Sequence, residues 1–353
     1  MAAGREPLAH RPPELAIAPL DEAAMRTARE RQAQLVKPAG ALGRLEELAV
    51  WLAGVTGQAR PSVRARVVVA AADHGVAEER VSAYPQAVTR QMLAVFLAGQ
   101  GAVSALARET GASLLVVDAG VAGGPVEGVR SVGLRASRNL AREAALTAGE
   151  VAMAVDAGRS LAAEAAADGV TVLVGGEMGI ANTTPATCLA AALTGRPAAE
   201  LVGPGTGVDA AGLERKRAVV ERALKLHGDG LRGPLGALRR VGGGELAVVC
   251  GLALGAGEHG LGFVCDGLIA TAAAALAAAV EPDLRPRLLA GHRSPEPGHA
   301  ALLEWLELEP VLDLGMRLGE GSGATAALAV LRLACATHAG MGTFADAGVS
   351  GPT

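Results

Sequence analysis

The residues best suited to chemistry are acids that close short apolar runs. "ARVVVAAADHG" (65–75), "SLLVVDAG" (113–120), "VTVLVGGEMG" (170–179) and "GLGFVCDG" (260–267) each end in a glycine-bearing turn and carry Asp73, Asp118, Glu177 and Asp266. Singly, each is an ordinary turn former or helix N-cap. Together, at equivalent places in parallel strands, these acids would line one cleft, which favours a cationic ligand or a proton-accepting role. A further acid, Glu320, stands within "LDLGMRLGEGSGATAAL" (312–328), a glycine-rich turn between an apolar run and an alanine-rich run. Such turns usually serve phosphate groups, so a carboxylate in the middle needs explaining. Its plain reading is an N-cap or dipole partner for a helix over 323–336.

Other segments suggest anion binding. "GPGTGVD" (203–209) and "GEGSGA" (319–324) are both GxGxG. That is weak evidence for a nucleotide, because neither has a ribose-binding acid clearly placed after it. In "GGEMGIANTTPATCLAAAL" (175–193), Thr183 or Thr184 can cap the following helix and Pro185 fits its first turn. The N–H groups at such a helix start suit an anion. "GHRSPEPGH" (291–299) gathers His292, Ser294, Glu296 and His299 without a regular metal-ligand spacing. It is expected to be a polar loop touching phosphate or ribose, and no metal or cofactor is expected. Tyr84, the only tyrosine, lies in "SAYPQAVTRQM" (82–92). It is either a turn-flanking surface residue or a ring that stacks on a flat ligand.

Short β-branched runs alternating with helical stretches (86–109, 185–195, 210–227, 267–280) predict parallel βαβ units with both sheet faces covered. "RLLAGHRS" (287–294) and "EPVLDLGMRLGEG" (309–321) are weaker strand candidates, and 242–257 leans towards helix by length and Ala/Leu content. Residues 15–58 contain no strand candidate and read as helix, turn, helix; 323–340 is helical again. The expected division is a disordered tail over 1–14, a small helical domain from 15–60 plus about 335–353, and a large α/β domain over 61–334.

The 353 residues are 50% hydrophobic but only 2% aromatic, with 48 glycines, so the core must be built from Ala, Val and Leu. A net charge of −4 argues against a nucleic-acid surface. Cys188, Cys250, Cys265 and Cys335 form no CxxC pair and read as small buried residues in a reducing compartment. The polar first fourteen residues and the lack of a membrane-length apolar run predict a cytoplasmic protein.

Taken in order, "KPAGALGRLEELA", "ADHGV", "SAYPQAVTRQM", "GGEMGIANTTPAT", "GPGTGVD", "CDGLIATAAAAL", "GHRSPEPGH" and "LDLGMRLGEGSGA" resemble the nicotinate-nucleotide–dimethylbenzimidazole phosphoribosyltransferases over about residues 15 to 350. One departure is "GGGELAVVCG", where the family usually has a bulkier residue before the Glu. The resemblance implies transfer of phosphoribose from nicotinate mononucleotide to 5,6-dimethylbenzimidazole, giving α-ribazole 5′-phosphate and nicotinate. It implies a metal-free homodimer with a Rossmann-like parallel sheet and a small helical domain from both termini. Carried over residue by residue, Glu320 matches the catalytic base. Ser82, Tyr84, Gln91 and Met92 match the stretch around the benzimidazole. Glu177, Gly179, Gly205, Lys216 and Ser294 match the nucleotide side, and the glycines flanking Glu320, Gly319 and Gly321, let backbone approach the substrate. With so much Ala and Gly in 242–280, part of that helical surface is expected to meet a partner subunit. Two rivals stand beside this reading. An S-adenosylmethionine-dependent methyltransferase would need its glycine loop after the first strand, and a non-catalytic nucleotide-binding regulator would not need Glu320.

Overall fold

A computed structural model describes residues 15–350, so the tail expected over 1–14 lies outside it. Among the described residues seven strands form one parallel sheet: β1 (Ala65–Ala71), β2 (Ser113–Asp118), β3 (Arg130–Ser131), β4 (Val172–Met178), β5 (Gly262–Cys265), β6 (Leu288–His292) and β7 (Pro310–Leu312). Their spatial order is β3-β2-β1-β4-β5-β6-β7. Each apolar run singled out in the sequence contains a strand. β3 was missed because it is two exposed polar residues with no apolar pattern to read.

Side chains alternate between the two faces of the sheet, as the two-residue period of a strand requires. Val68, Ala70, Leu173, Phe263 and Cys265 join one core, with helices Ala148–Ala167, Thr183–Thr194, Gly244–Glu258 and Leu268–Val280. Val67, Val69, Val172, Val174 and Val264 join the other, with Leu48 and Leu52 of Arg44–Thr56 and with Leu328 and Leu331 of Ser322–Gly340. The shortage of aromatics is met by close approach. Where Ala148–Ala167 crosses Gly244–Glu258, a Cβ on Gly158 would strike the Val248 carbonyl and one on Gly251 would strike the Val155 carbonyl. Backbones that meet this closely leave no space for large side chains to fill.

The segment 242–257 is therefore a helix, as its length suggested. Every residue from Gly244 to Gly257 is buried, and so is Leu268–Ala278. This corrects the expectation that 242–280 offers surface to a partner, because the chain itself covers those helices. The stretch 86–109 also divides, into Ala87–Leu97 and Ala102–Thr110, with Gly99 at φ 70° in the break. All four cysteines are free and buried. No helix among the described residues is long and apolar enough to cross a membrane.

The chain ends meet. Arg31 of Glu22–Gln34 donates to the carbonyls of His338 (2.8 Å) and Met341 (3.0 Å), and Gln32 bonds His338 Nδ1 at 2.8 Å. Helix Ser322–Gly340 runs unbroken through residue 335, so the domain boundary expected there falls inside one element. One end of that helix reaches the N-terminal hairpin and the other starts at the carboxyl edge of the sheet.

Candidate active site

Crossovers leave in opposite directions from β1 and β4, and open parallel sheets bind ligands at the carboxyl ends of such a switch point. Glu177, next to last in β4, is buried there with its Oε2 accepting from Asn182 Nδ2. Burial pushes its pKa up to about 8; the Asn182 donor opposes this, and the charges of Glu245, Asp266 and Glu320 add to it.

Glu320 lies across the end of the same strand. Gly319, Glu320 and Gly321 all have left-handed backbone, with φ of 83°, 63° and 80°. For a glutamate this conformation costs on the order of 1–2 kcal/mol, so surrounding contacts must impose it. Glu320 N donates to the Glu177 carbonyl at 3.2 Å. A Cβ on Gly176 would come within 2.6 Å of the Glu320 carbonyl oxygen, and one on Gly319 would strike Glu177 Oε1. Glycines on both sides thus let the loop lie directly on β4. The Glu320 side chain is buried and its Oε2 has no hydrogen-bond partner among the described residues. Burial raises its pKa; the Val103 backbone N–H, at the start of Ala102–Thr110, opposes the rise, and the Asp266 charge adds to it.

Glu320 is not the cap of its own helix. Ser322–Gly340 begins after Gly321, which makes no side-chain cap bond, and the Ala324 N–H donates to Asp266 Oδ1 at 2.8 Å. The image of four strand-end acids lining one cleft is also corrected. Asp118 accepts from Gly120 and Val121 of its own turn, and Asp73 accepts from Ala122 N. Those two acids shape turns, whereas Glu177 and Asp266 come together with Glu320.

Opposite lies a basic, glycine-rich side. Lys216, on helix Ala210–His227, is fully buried, and its Nζ donates to Thr183 Oγ1 (2.8 Å) and the Gly203 carbonyl (2.9 Å). Two of the three ammonium protons are therefore placed by protein. Burial lowers its pKa to about 8, and nearby Glu296 works against that fall. The Gly205 N–H donates to Glu296 Oε1 at 2.9 Å. Ser294, also buried, accepts the Glu296 N–H on its hydroxyl at 3.4 Å and donates its own N–H to His299 Nδ1 at 3.0 Å. Arg317, just ahead of Gly319, donates to the Gly205 carbonyl at 3.3 Å. Arg317 thus links the segment leading into one GxGxG loop to the backbone of the other. Ser82 adds a link from the acceptor stretch, its hydroxyl 3.2 Å from Thr206 Oγ1. Among the described residues no group of three or more His, Cys, Asp or Glu side chains could hold a metal ion.

Comparison with known proteins gives this geometry a family. A family described as "Phosphoribosyltransferase" matches residues 17–349. The nicotinate-nucleotide–dimethylbenzimidazole phosphoribosyltransferase of Pseudomonas putida is 51% identical over 339 residues, 95% of this chain and 97% of that protein. The enzyme of the same name from Azotobacter vinelandii is 51% identical over 340 residues, again 95% and 97% of the two chains. The crystal structure of CobT from Thermus thermophilus superposes with a TM-score of 0.88 at 47% identity, covering 94% of this chain and all of that one. The chain belongs to the nicotinate-nucleotide–dimethylbenzimidazole phosphoribosyltransferase family.

Within this phosphoribosyltransferase the sequence-derived residues separate into groups. Glu177, Gly179, Gly319, Glu320 and Gly321 gather at the β4 end. At Gly179 a Cβ would lie 2.6 Å from the Ala72 carbonyl, so this glycine packs β4 against the turn after β1. Gly205, Lys216 and Ser294 gather around the 203–209 loop. Ser82 touches that loop, while the Tyr84 and Gln91 side chains are exposed and Met92 packs against the sheet core. Neither threonine caps helix Thr183–Thr194. Asn182 occupies the N-cap without a side-chain bond, and Thr183 serves Lys216 instead. Sequence reasoning missed His74 and Glu245, a fully buried pair 2.8 Å apart behind Glu177. The available signal was one acid opening a helix that is otherwise apolar up to its last residue, Glu258. It also missed why Gly244 precedes that acid: a Cβ there would strike the Ala119 carbonyl, so this chain has no space for a side chain at that position.

Proposed function

We propose that this phosphoribosyltransferase moves phosphoribose from nicotinate mononucleotide to 5,6-dimethylbenzimidazole, with Glu320 as the general base. The observation that carries the reading is the buried, unpartnered Glu320 Oε2 at the switch point of a chain in this family. The nicotinate nitrogen carries a positive charge in the donor, so breaking its bond to the ribose returns an electron pair to that nitrogen. No acid is needed for its departure. The attacking benzimidazole would become cationic as it bonds to the ribose carbon unless its second nitrogen gives up a proton. A carboxylate placed to take that proton is what the step requires, and negative charge nearby favours an oxocarbenium-like ribose carbon. Glu177, with a pKa of about 8, keeps its proton at neutral pH, so Glu320 is not flanked there by a second full charge on β4. The Lys216 ammonium and the Gly205 loop form the phosphate side.

In this reading the glycines of "GEGSGA" place a base, not a phosphate. The loop follows β7, the last strand in sequence, whereas a methyltransferase needs its glycine loop after the first. Incubation of the protein with both substrates should yield nicotinate and α-ribazole 5′-phosphate in equal amounts. Nucleotide binding without turnover would leave the regulator reading in its place. The homodimer belongs to this proposal as well, with its contact surface outside 242–280; sedimentation giving only monomer at micromolar concentration would count against it.

A further inference from the structure

Nicotinate mononucleotide carries two anionic groups, the phosphate on its ribose and the carboxylate on its pyridine ring. In the proposed function Lys216 and the Gly205 loop serve the phosphate, which leaves the ring carboxylate without a cation. The ring is bonded to the ribose carbon that the acceptor attacks, so it must lie near the loop that holds Glu320. That end of the sheet gathers buried acids, Glu177, Asp266 and Glu320. An anionic ring brought there needs a positive partner, because a carboxylate taken out of water unpaired is costly.

Arg317 is placed to supply it. It stands three residues ahead of Glu320, on the irregular segment that runs from β7 to the Gly319 turn, and it is exposed. Its Nη1 donates to the Gly205 carbonyl at 3.3 Å, while Lys216 Nζ donates to the Gly203 carbonyl of the same loop at 2.9 Å. The guanidinium is thereby held between the loop of the base and the loop of the lysine. Among the described residues the Gly205 carbonyl is its one hydrogen-bond partner, and it forms no ion pair. Asp313, on the same segment, pairs with Arg293 instead, at 3.5 Å. Most of the five guanidinium N–H groups are therefore left for a ligand, and their planar fork matches a carboxylate with two parallel bonds. We propose that Arg317 sets donor specificity: it binds the carboxylate of the nicotinate leaving group and so selects nicotinate mononucleotide over the neutral nicotinamide nucleotide. Bond cleavage removes the positive charge from the ring nitrogen and leaves the carboxylate as the ring's only charge. The attraction to Arg317 thus strengthens as the leaving group departs, which favours cleavage.

This inference rests on the proposed reaction, and a comparison of two donors separates the two ideas. The kcat/KM of nicotinate mononucleotide and of nicotinamide mononucleotide is measured at saturating dimethylbenzimidazole in wild type, Arg317→Gln and Arg317→Lys. The donors differ only in carboxylate against carboxamide. Glutamine keeps a donor for the Gly205 carbonyl and removes the charge; lysine keeps the charge and loses the fork. Wild type should prefer the nicotinate donor. In Arg317→Gln its kcat/KM should fall by roughly 10–100-fold, the scale of a charged hydrogen bond, and that of the amide should barely change, so the preference collapses. Arg317→Lys should restore part of it. An equal fall for both donors would assign Arg317 to the phosphate or to holding the loop, and would overturn the proposal. So would an unchanged preference, or a wild type that uses both donors equally well. A wild type that turns over neither donor would overturn the proposed reaction, and this inference with it. If Arg317→Gln does not fold, Arg317→Met takes its place with the same expectations. Failure of both to fold would make Arg317 a stability residue and end the proposal.

Discussion

The two GxGxG loops share a pattern and differ in what it does. In "GPGTGVD" the turn leads into a helix with an ordinary cap, Asp209 accepting from the Gly212 N–H at 2.7 Å, and it wraps a buried lysine. In "GEGSGA" no side chain caps the helix from within, the backbone is left-handed over three residues, and the loop presents an acid. Glycine in the first loop brings a carbonyl to an ammonium and an N–H to a carboxylate. In the second it lets a strained glutamate lie on a neighbouring strand. The lesson is that a GxGxG pattern reports only close backbone approach. The ionisable groups around each loop decide what it is for: Lys216 and Glu296 in one case, Glu177 and Asp266 in the other.

If this contrast is sound, substitutions in the two loops should affect different kinetic constants. Glu320→Gln preserves shape but cannot take a proton, so kcat should fall by about 10²–10⁴-fold, the usual range for general base catalysis. Steady-state kinetics at saturating substrates measure it. An effect of similar size on nucleotide KM would erase the distinction between the loops. Lys216→Met keeps the apolar stem and removes the ammonium. It should raise the KM for nicotinate mononucleotide by roughly 10–100-fold, as a charged hydrogen bond is worth about 1.5–3 kcal/mol. The KM for dimethylbenzimidazole should change far less.

A smaller effect, confined to the acid side of the site, should appear in how stability depends on pH. Glu177 has a folded pKa of about 8, above the ordinary carboxylate value. Below about pH 4 both folded and unfolded chains hold the proton, and the group contributes nothing. Between there and about pH 8 the unfolded chain ionises first, so folding loses stability as pH rises. Glu177→Gln removes that penalty. Its Tm should equal wild type near pH 4 and exceed it by roughly a few degrees at pH 8, as followed by thermal melts. A constant difference across that range would remove the buried, protonated Glu177 from the account.

Much of this was legible in the sequence because the sheet is built from apolar runs ending in glycine turns. β1, β2 and β4 announced themselves through valine, and the motif order pointed to the family before any geometry. What escaped depended on contacts distant in sequence. Nothing in "CDGLIATAAAAL" says that Asp266 caps a helix beginning 56 residues later. Arg317 reaching Gly205, and His74 pairing with Glu245, are likewise consequences of the strand order and not of local spacing. The expectation of a partner surface at 242–280 failed for a related reason. An all-apolar helix looks the same in sequence whether another chain covers it or its own does.

The division of labour between the loops is tested most directly by titrating nicotinate mononucleotide, in a calorimeter, into wild type, Glu320→Gln and Lys216→Met. The account predicts that Glu320→Gln binds the nucleotide with an affinity close to wild type although its turnover is lost, and that Lys216→Met binds it far more weakly. Nucleotide affinity lost in Glu320→Gln and retained in Lys216→Met would contradict it.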